Sequence, residues 1–170
     1  YYDKLYKISK TIDTKQKALL GLLESKFMLY KYNDVIKTID KFVEEDFFSG
    51  QDNLRVHYLN AISFYKVNQN QNALLEFNWL VNNSDGELKA ESYYYQSLIL
   101  YNNGEYLDSQ EVIFSLINEL PGYEMWINNA LFLLAKNYLA REDMFQAQHV
   151  LLELKKKTQD IEMLNNIELI

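Results

Sequence analysis

The chain has 170 residues with 1 Pro, 5 Gly and no Cys, and 17 Lys and Arg against 24 Asp and Glu give it a net charge of −7. The absence of cysteine excludes disulfides, zinc–thiolate sites and cysteine nucleophiles, and the scarcity of Gly and Pro disfavours turn-rich β-sandwiches and Gly-rich phosphate loops. The acidic balance repels a phosphate backbone and no apolar run approaches the ~20 residues of a transmembrane helix, so we expect water-facing helices, no nucleic-acid partner and no membrane-spanning segment.

Residues 1–14 include "YYDKLYKISKT", which has the pattern of the last helix of a preceding repeat. The sequence starts at Tyr1 with neither an initiator Met nor a signal peptide. We therefore expect the chain to be a piece of a longer protein, whose targeting information lies in the part that has been removed.

Four helical hairpins are predicted next, at residues 15–50, 51–86, 87–122 and 123–158, followed by a short capping helix at 159–170. The last hairpin has the clearest pattern. Its first helix carries apolar or small residues at the i, i+3, i+4 and i+7 positions Leu131, Leu134, Ala135 and Tyr138. A polar break at residues 141–144, with Asp143 as the helix N-cap, separates this helix from a second apolar face that begins at Ala147.

Small residues recur where the two helices of a hairpin would approach each other most closely. In the second helices this position is occupied by Val35, Ala73, Ser109 and Ala147, at spacings of 38, 36 and 38 residues, and the first hairpin fits the pattern less well, with Leu23 and Val35 at its two contact positions. A bulkier side chain at the contact would push the helix axes apart and cost core contacts. The regular spacing predicts a repeat array. A compact all-helical bundle is the alternative, which explains the helices but leaves their spacing unexplained.

The unit at residues 90–121 has Tyr93 three residues after its start, Ser97 at the small position, a turn at residues 104–106 and Pro121 at its end. These match the Trp position, the Gly position, the inter-helix turn and the closing proline of the tetratricopeptide repeat (TPR), which the chain resembles. The resemblance implies an all-α fold, a right-handed α-α superhelix or TPR-like solenoid of about four helix hairpins plus flanking helices, forming a single domain over residues 1–170.

Residues 123–154 carry a closer resemblance. Tyr123 and Trp126 form an aromatic-x-x-Trp step, "LLAKNY" at residues 133–138 lies in a helix, and "DMFQA" at residues 143–147 forms the turn that follows. This segment is similar to the final repeats of a group of long cell-envelope TPR proteins, often lipoproteins, some of them linked to type IX secretion and gliding motility. The resemblance implies a periplasmic or envelope-associated location.

In a solenoid of helix pairs the first helices line the concave surface. Large residues recur there with the repeat period, in one row with Tyr58, Tyr94 and Phe132 and in another with Tyr65, Tyr101 and Leu139. Tyr rings combine a large contact area with a hydroxyl for hydrogen bonding, which suits peptide recognition. With nearby charged residues included, the predicted partner-binding residues are Arg55, Tyr58, Tyr65, Glu91, Tyr94, Tyr101, Phe132 and Lys136. The alternative is that these side chains pack against neighbouring repeats.

Catalysis and metal binding find little support in the sequence. His57 and His149 are far apart and neither has metal-ligand spacing, so we interpret His57 as a packing residue and His149 as an exposed one. The carboxylates within residues 43–48 are typical of solvated surface. The lysines at 155–157 are typical of a helix end, where cations complement the helix dipole. We expect no enzymatic activity, no cofactor and no metal.

These patterns predict a non-catalytic scaffold that binds a protein or peptide partner, as part of the cell-envelope assembly that the closer resemblance implies. Two other functions fit the same array. One is a helical accessory or regulatory domain that senses a peptide or small ligand, which a buried polar pocket would favour. The other is self-association through a terminal repeat, and the pattern leaves the oligomeric state open.

Overall fold

The computed structural model describes residues 2–42 and 47–169, apart from the side chain of Asp3. Within these residues every regular element is an α-helix: α1 (Tyr2–Ile8), α2 (Ile12–Met28), α3 (Tyr32–Phe42), α4 (Gly50–Lys66), α5 (Asn70–Asn83), α6 (Gly86–Asn102), α7 (Tyr106–Glu119), α8 (Glu124–Ala140), α9 (Met144–Lys157) and α10 (Ile161–Glu168). The predicted all-α fold of adjacent helix pairs is confirmed. No helix in this part of the chain is long and apolar enough to cross a membrane.

The helices pack as four hairpins, α2 with α3, α4 with α5, α6 with α7 and α8 with α9. Each first helix has 17 residues, and these helices begin at Ile12, Gly50, Gly86 and Glu124, which are 38, 36 and 38 residues apart. The contacts divide the chain into two compact units, one ending at Ser84 and the other starting at Asp85. In each unit the first helix of the second hairpin packs on both helices of the hairpin before it.

The turn inside each hairpin has the same geometry in all four. Its central residue is left-handed, with φ of 57° at Tyr30, 60° at Asn68, 83° at Gly104 and 63° at Glu142. The amide of the central residue donates to the carbonyl three residues earlier, and the next amide donates to the carbonyl five residues before it, as in Gln69 N to Phe64 O at 2.9 Å. This is the Schellman motif, which satisfies the last carbonyls of the first helix and ends it.

The first hairpin has the larger Leu23 and Val35 at the predicted contact positions, and small residues occupy these positions in the other three hairpins. In the second and fourth hairpins these residues have no exposed surface, namely Ala61, Ala73, Ala135 and Ala147. In the third hairpin the Ser109 hydroxyl of α7 donates to the Ser97 carbonyl of α6 at 2.8 Å. A short side chain can reach the backbone of the facing helix only where the two axes lie close, so the predicted close contact is confirmed in this hairpin.

The unit that ends at Ser84 has an apolar core built from α2, α3, α4 and the segment before α4. Its buried members are Leu19, Leu23, Val35, Phe48, Val56 and Leu59. Helix α1 packs along α2, and the ring of Tyr2 lies where a Cβ on Gly21 would clash with it. Glycine at position 21 therefore allows the close approach of these two helices.

The unit that starts at Asp85 adds a buried polar relay to its core. The Asn137 amide of α8 donates to the Ser109 hydroxyl at 3.0 Å, and this hydroxyl in turn donates to the Ser97 carbonyl. The relay joins α6, α7 and α8 by hydrogen bonds between fully buried side chains and backbone. Helix α10 closes the unit, with Met163 and Ile167 packed against Leu154 of α9.

Candidate binding faces

The predicted partner-binding residues all lie on first helices. Helix α4 carries Arg55, Tyr58 and Tyr65, α6 carries Glu91, Tyr94 and Tyr101, and α8 carries Phe132 and Lys136. Arg55 is exposed and the other seven are half-buried. Partial burial leaves each of these side chains able to pack on its own unit and to present some of its surface to a partner.

Arg55 and Tyr58 are brought together in the first unit. The guanidinium carbon of Arg55 lies 5.6 Å from the centroid of the Tyr58 ring, and its Nε lies 3.1 Å from Oε1 of Glu24 on the neighbouring first helix α2. The ion pair is half exposed and contributes little to folding stability. Its effect is to hold the guanidinium over the ring, so that the three side chains form one charged and aromatic cluster.

Tyr94 lies in an aromatic cluster in the second unit. Its ring centroid is 5.6 Å from that of Trp126 on α8, with the planes tilted by 42°, and 5.7 Å from that of Tyr95. Trp126 is half-buried, and its Nε1 is a buried donor with no hydrogen-bond partner among the described residues. The sequence-based site prediction omitted Trp126, because the ring is contributed by the first turn of the next first helix and falls outside the repeating rows.

Phe132 has a mixed role. It packs against the buried cluster of Leu154, Met163 and Ile167, while the Lys136 ammonium lies 5.2 Å from its ring centroid. The remaining predicted tyrosines also contact side chains of their own hairpins. The Tyr101 ring lies 5.5 Å from that of Tyr106, and the Lys66 ammonium lies 5.6 Å from the Tyr65 ring.

The two histidines differ in their surroundings. His57 stacks on Trp79 with a centroid distance of 3.6 Å, and its Nδ1 is 2.6 Å from a carboxylate oxygen of Glu76. It is therefore a packed residue with a polar partner, in agreement with its predicted packing role. His149 on α9 is exposed, as predicted. No group of three or more His, Asp or Glu side chains that could hold a metal ion occurs in the part of the chain that the structure describes.

The other charged segments singled out in the sequence lie at helix ends or outside the described residues. The carboxylates at positions 44–46 lie outside the residues that the structure describes. The structure does describe Phe47 and Phe48 of the same segment, and Phe48 is buried. The three lysines at 155–157 form the last turn of α9, as predicted. Lys155 pairs with Glu168 at 3.0 Å and Lys156 with Glu153 at 2.7 Å.

An ionisable cluster joins α6 to α7. The Tyr93 hydroxyl donates to Glu119 at 2.8 Å, and Glu119 also forms an ion pair with Lys89 at 2.8 Å. Burial of the phenol, with the hydrogen bond to Glu119 and the negative charge of that carboxylate, raises the pKa of Tyr93 to about 12. The hydrogen bonds from Lys89 and Tyr93 lower the pKa of Glu119. The cluster stabilises the hairpin in the protonation states found near neutral pH.

No protein-family model matches this sequence, and no curated protein or solved structure is significantly similar to it.

Proposed function

We propose that the chain is a non-catalytic helical-repeat scaffold that binds a protein or peptide partner through its first helices. The observation that carries the proposal is the aromatic cluster of Tyr94, Tyr95 and Trp126 on α6 and α8. These three rings remain half-buried rather than enclosed in the core. Aromatic groups that combine a large apolar area with a polar tip are the usual anchors of protein interfaces.

The unpaired indole donor of Trp126 supports the same proposal. A buried N–H without an acceptor costs free energy, and the cost is recovered when an acceptor arrives. A main-chain carbonyl of a bound peptide is such an acceptor. In the first unit the cluster of Glu24, Arg55 and Tyr58 offers both signs of charge beside an aromatic face. This composition fits a polar peptide better than an apolar ligand.

We further propose, from the resemblance of residues 123–154 to long TPR proteins, that the scaffold belongs to a cell-envelope assembly such as a secretion or gliding system. This part of the proposal predicts a periplasmic or envelope-associated partner. Fractionation of the source cell tests it, because a chain found only in the cytoplasmic fraction would contradict it.

The test of the binding face is a capture experiment from the envelope fraction with three forms of the chain: the parent, Tyr94→Ser, and Leu107→Ser as a matched control. Leu107 is an exposed apolar residue on the second helix α7 and lies outside the proposed face. Each variant must keep the helical circular dichroism and melting temperature of the parent. We expect the same partner to be retained by the parent and by Leu107→Ser and lost by Tyr94→Ser.

Equal capture by all three forms would place the interface elsewhere and assign the Tyr94 cluster to packing. A mass that rises with protein concentration, in the absence of a partner, would instead favour self-association.

The alternative function, an accessory or regulatory domain that senses a peptide or small ligand, is favoured by one observation, a polar cleft in the first unit.

A further inference from the structure

A polar cleft lies between the two second helices of the first unit. It has a volume of about 490 Å³, its walls come from α3 and α5, and its base includes Asn60 and Phe64 of α4. None of the eight residues predicted to bind a partner lines it. The cleft is therefore a site separate from the face of the first helices.

Asn60 at the base of the cleft and Glu76 of the α5 wall form a hydrogen-bonded pair. The Asn60 amide donates to Oε1 of Glu76 at 2.8 Å, while the other oxygen of Glu76 lies 2.6 Å from Nδ1 of His57. Asn60 and Glu76 are thus fixed in orientation by groups that lie on α4 and α5 themselves. A carboxylate has about four acceptor positions, so Glu76 retains the capacity for further donors.

Asn60 is a polar residue at a buried position. The equivalent positions of the first and fourth hairpins hold Leu22 and Leu134, whereas that of the third holds Gln96, which is also buried. Asn60 is only 6% exposed, and its Oδ1 has no hydrogen-bond partner in the described residues. A buried acceptor without a donor is destabilising, whereas the leucines of the first and fourth hairpins carry no such atom. Asn60 thus places a hydrogen-bond acceptor without a donor beside the Glu76 carboxylate.

The side chains that line the cleft indicate which kind of ligand it would bind. Its carboxylates, Asp40 and Glu76, outnumber its one ammonium, that of the exposed rim residue Lys37. Apolar side chains, including Ile36 and Phe64, line the same cleft. A group with several N–H donors, a positive charge and an apolar stem satisfies all of these features, and an arginine side chain has this composition.

We propose that the cleft binds an arginine side chain presented by a protein partner, with the guanidinium donating to Oδ1 of Asn60 and to the Glu76 carboxylate, and with Asp40 at the entrance. This proposal rests on the proposed scaffold function in one respect, namely that the arginine comes from a bound protein partner. It uses residues that the Tyr94 variant leaves unchanged, so the two proposals fail independently.

The test is a titration of the whole chain, followed by ¹H–¹⁵N NMR, with N-acetyl-arginine amide and with N-acetyl-citrulline amide. The two probes have nearly the same shape, but only the first is charged. We expect the arginine probe to shift the side-chain amide signal of Asn60 and the backbone signals of Asp40 and Asn72. The citrulline probe is expected to bind about tenfold more weakly, because charge-assisted hydrogen bonds are replaced by neutral ones.

Variants localise the binding. Asn60→Leu removes the unpaired acceptor and is expected to abolish the shifts, while Gln96→Leu, the equivalent change in the third hairpin, is the matched control that should leave them intact. Asp40→Asn changes only an exposed residue and is expected to weaken binding several-fold, which keeps the proposal testable if Asn60→Leu fails to fold. Equal binding of the two probes, the absence of saturable shifts, or binding of the arginine probe retained in Asn60→Leu would each overturn the proposal.

Discussion

Glu142 occupies a backbone conformation that L residues rarely adopt. Its φ of 63° places it at the centre of the same Schellman turn in which the third hairpin uses Gly104 and the second uses Asn68. Glycine pays no steric cost in this conformation, whereas a residue with a Cβ does. The turn therefore forms in all four hairpins because of its hydrogen bonds, and only the third has the residue that suits it best.

Glu142→Gly is expected to stabilise the chain by about 1 kcal/mol, because it relieves the left-handed strain. The matched control is Gly104→Ala, for which nothing lies within 4 Å of the added Cβ. That change should destabilise by about 1 kcal/mol through the backbone alone. Thermal unfolding measures both, and an unchanged melting temperature in Gly104→Ala would contradict the assignment of the turn.

Tyr93 is expected to make stability depend on pH in the alkaline range. Its pKa in the folded state is raised to about 12 from an ordinary value of 10.0. The folded state therefore holds the phenol proton more tightly, and this contribution is complete below pH 10 and is lost as pH rises toward 12.

In Tyr93→Phe the phenol and its bond to Glu119 are absent. Below pH 10 the variant should be less stable than the parent by about 1 kcal/mol, and the difference should shrink as pH rises toward 12. Urea unfolding of both forms across this range measures the difference. Curves that stay parallel up to pH 12 would show that Tyr93 does not titrate as the structure implies.

At the scale of the helices, the contact within a hairpin is made by small residues of different kinds. The fourth hairpin uses Ala135 and Ala147, which are fully buried. The third uses Ser97 and Ser109, whose hydrogen bond joins the two helices. Asn137 of α8 extends that bond to the next hairpin. One close approach is thus achieved by apolar contact in one hairpin and by a hydrogen-bonded polar relay in another.

Ala135→Leu tests this contact. The larger side chain has no room at a fully buried position, so we expect a loss of about 1–3 kcal/mol of stability from overpacking. Ala140→Leu, at the exposed end of the same helix, is the control for helix propensity and should have little effect. Equal melting temperatures for the two variants would show that Ala135 does not lie at a close contact.

At the scale of the whole molecule, the chain consists of two compact units with separate internal contacts. The unit that starts at Asp85 has buried residues on each of its helices, including Tyr93, Ile113, Leu134, Leu154 and Ile167. We expect a fragment of residues 85–170 to unfold cooperatively on its own, because it forms a compact unit with buried residues on each of its helices. Circular dichroism during heating measures this, and a broad, non-cooperative transition would contradict it.

The sequence predicted much of the fold because its signals are local and periodic. The spacing of apolar residues gave the helices, and the small residues Ala135 and Ser109 marked the close contacts. The left-handed residues of the turns were harder to predict from the sequence, since Tyr and Glu rarely adopt the positive φ that Tyr30 and Glu142 have here. There the hydrogen bonds of the helix end override the intrinsic preference of the residue.

The sequence by itself determined the all-α class, the hairpin pairing and the placement of the eight predicted residues on first helices, because these depend on periods within one helix or one repeat. Only the tertiary structure placed Trp126 beside Tyr94, Phe132 against the cluster of Leu154, Met163 and Ile167, and Asn60 beside Glu76 in a cleft. Each of these contacts joins residues of different helices, and its distance depends on how the helices pack, which no spacing along the chain encodes.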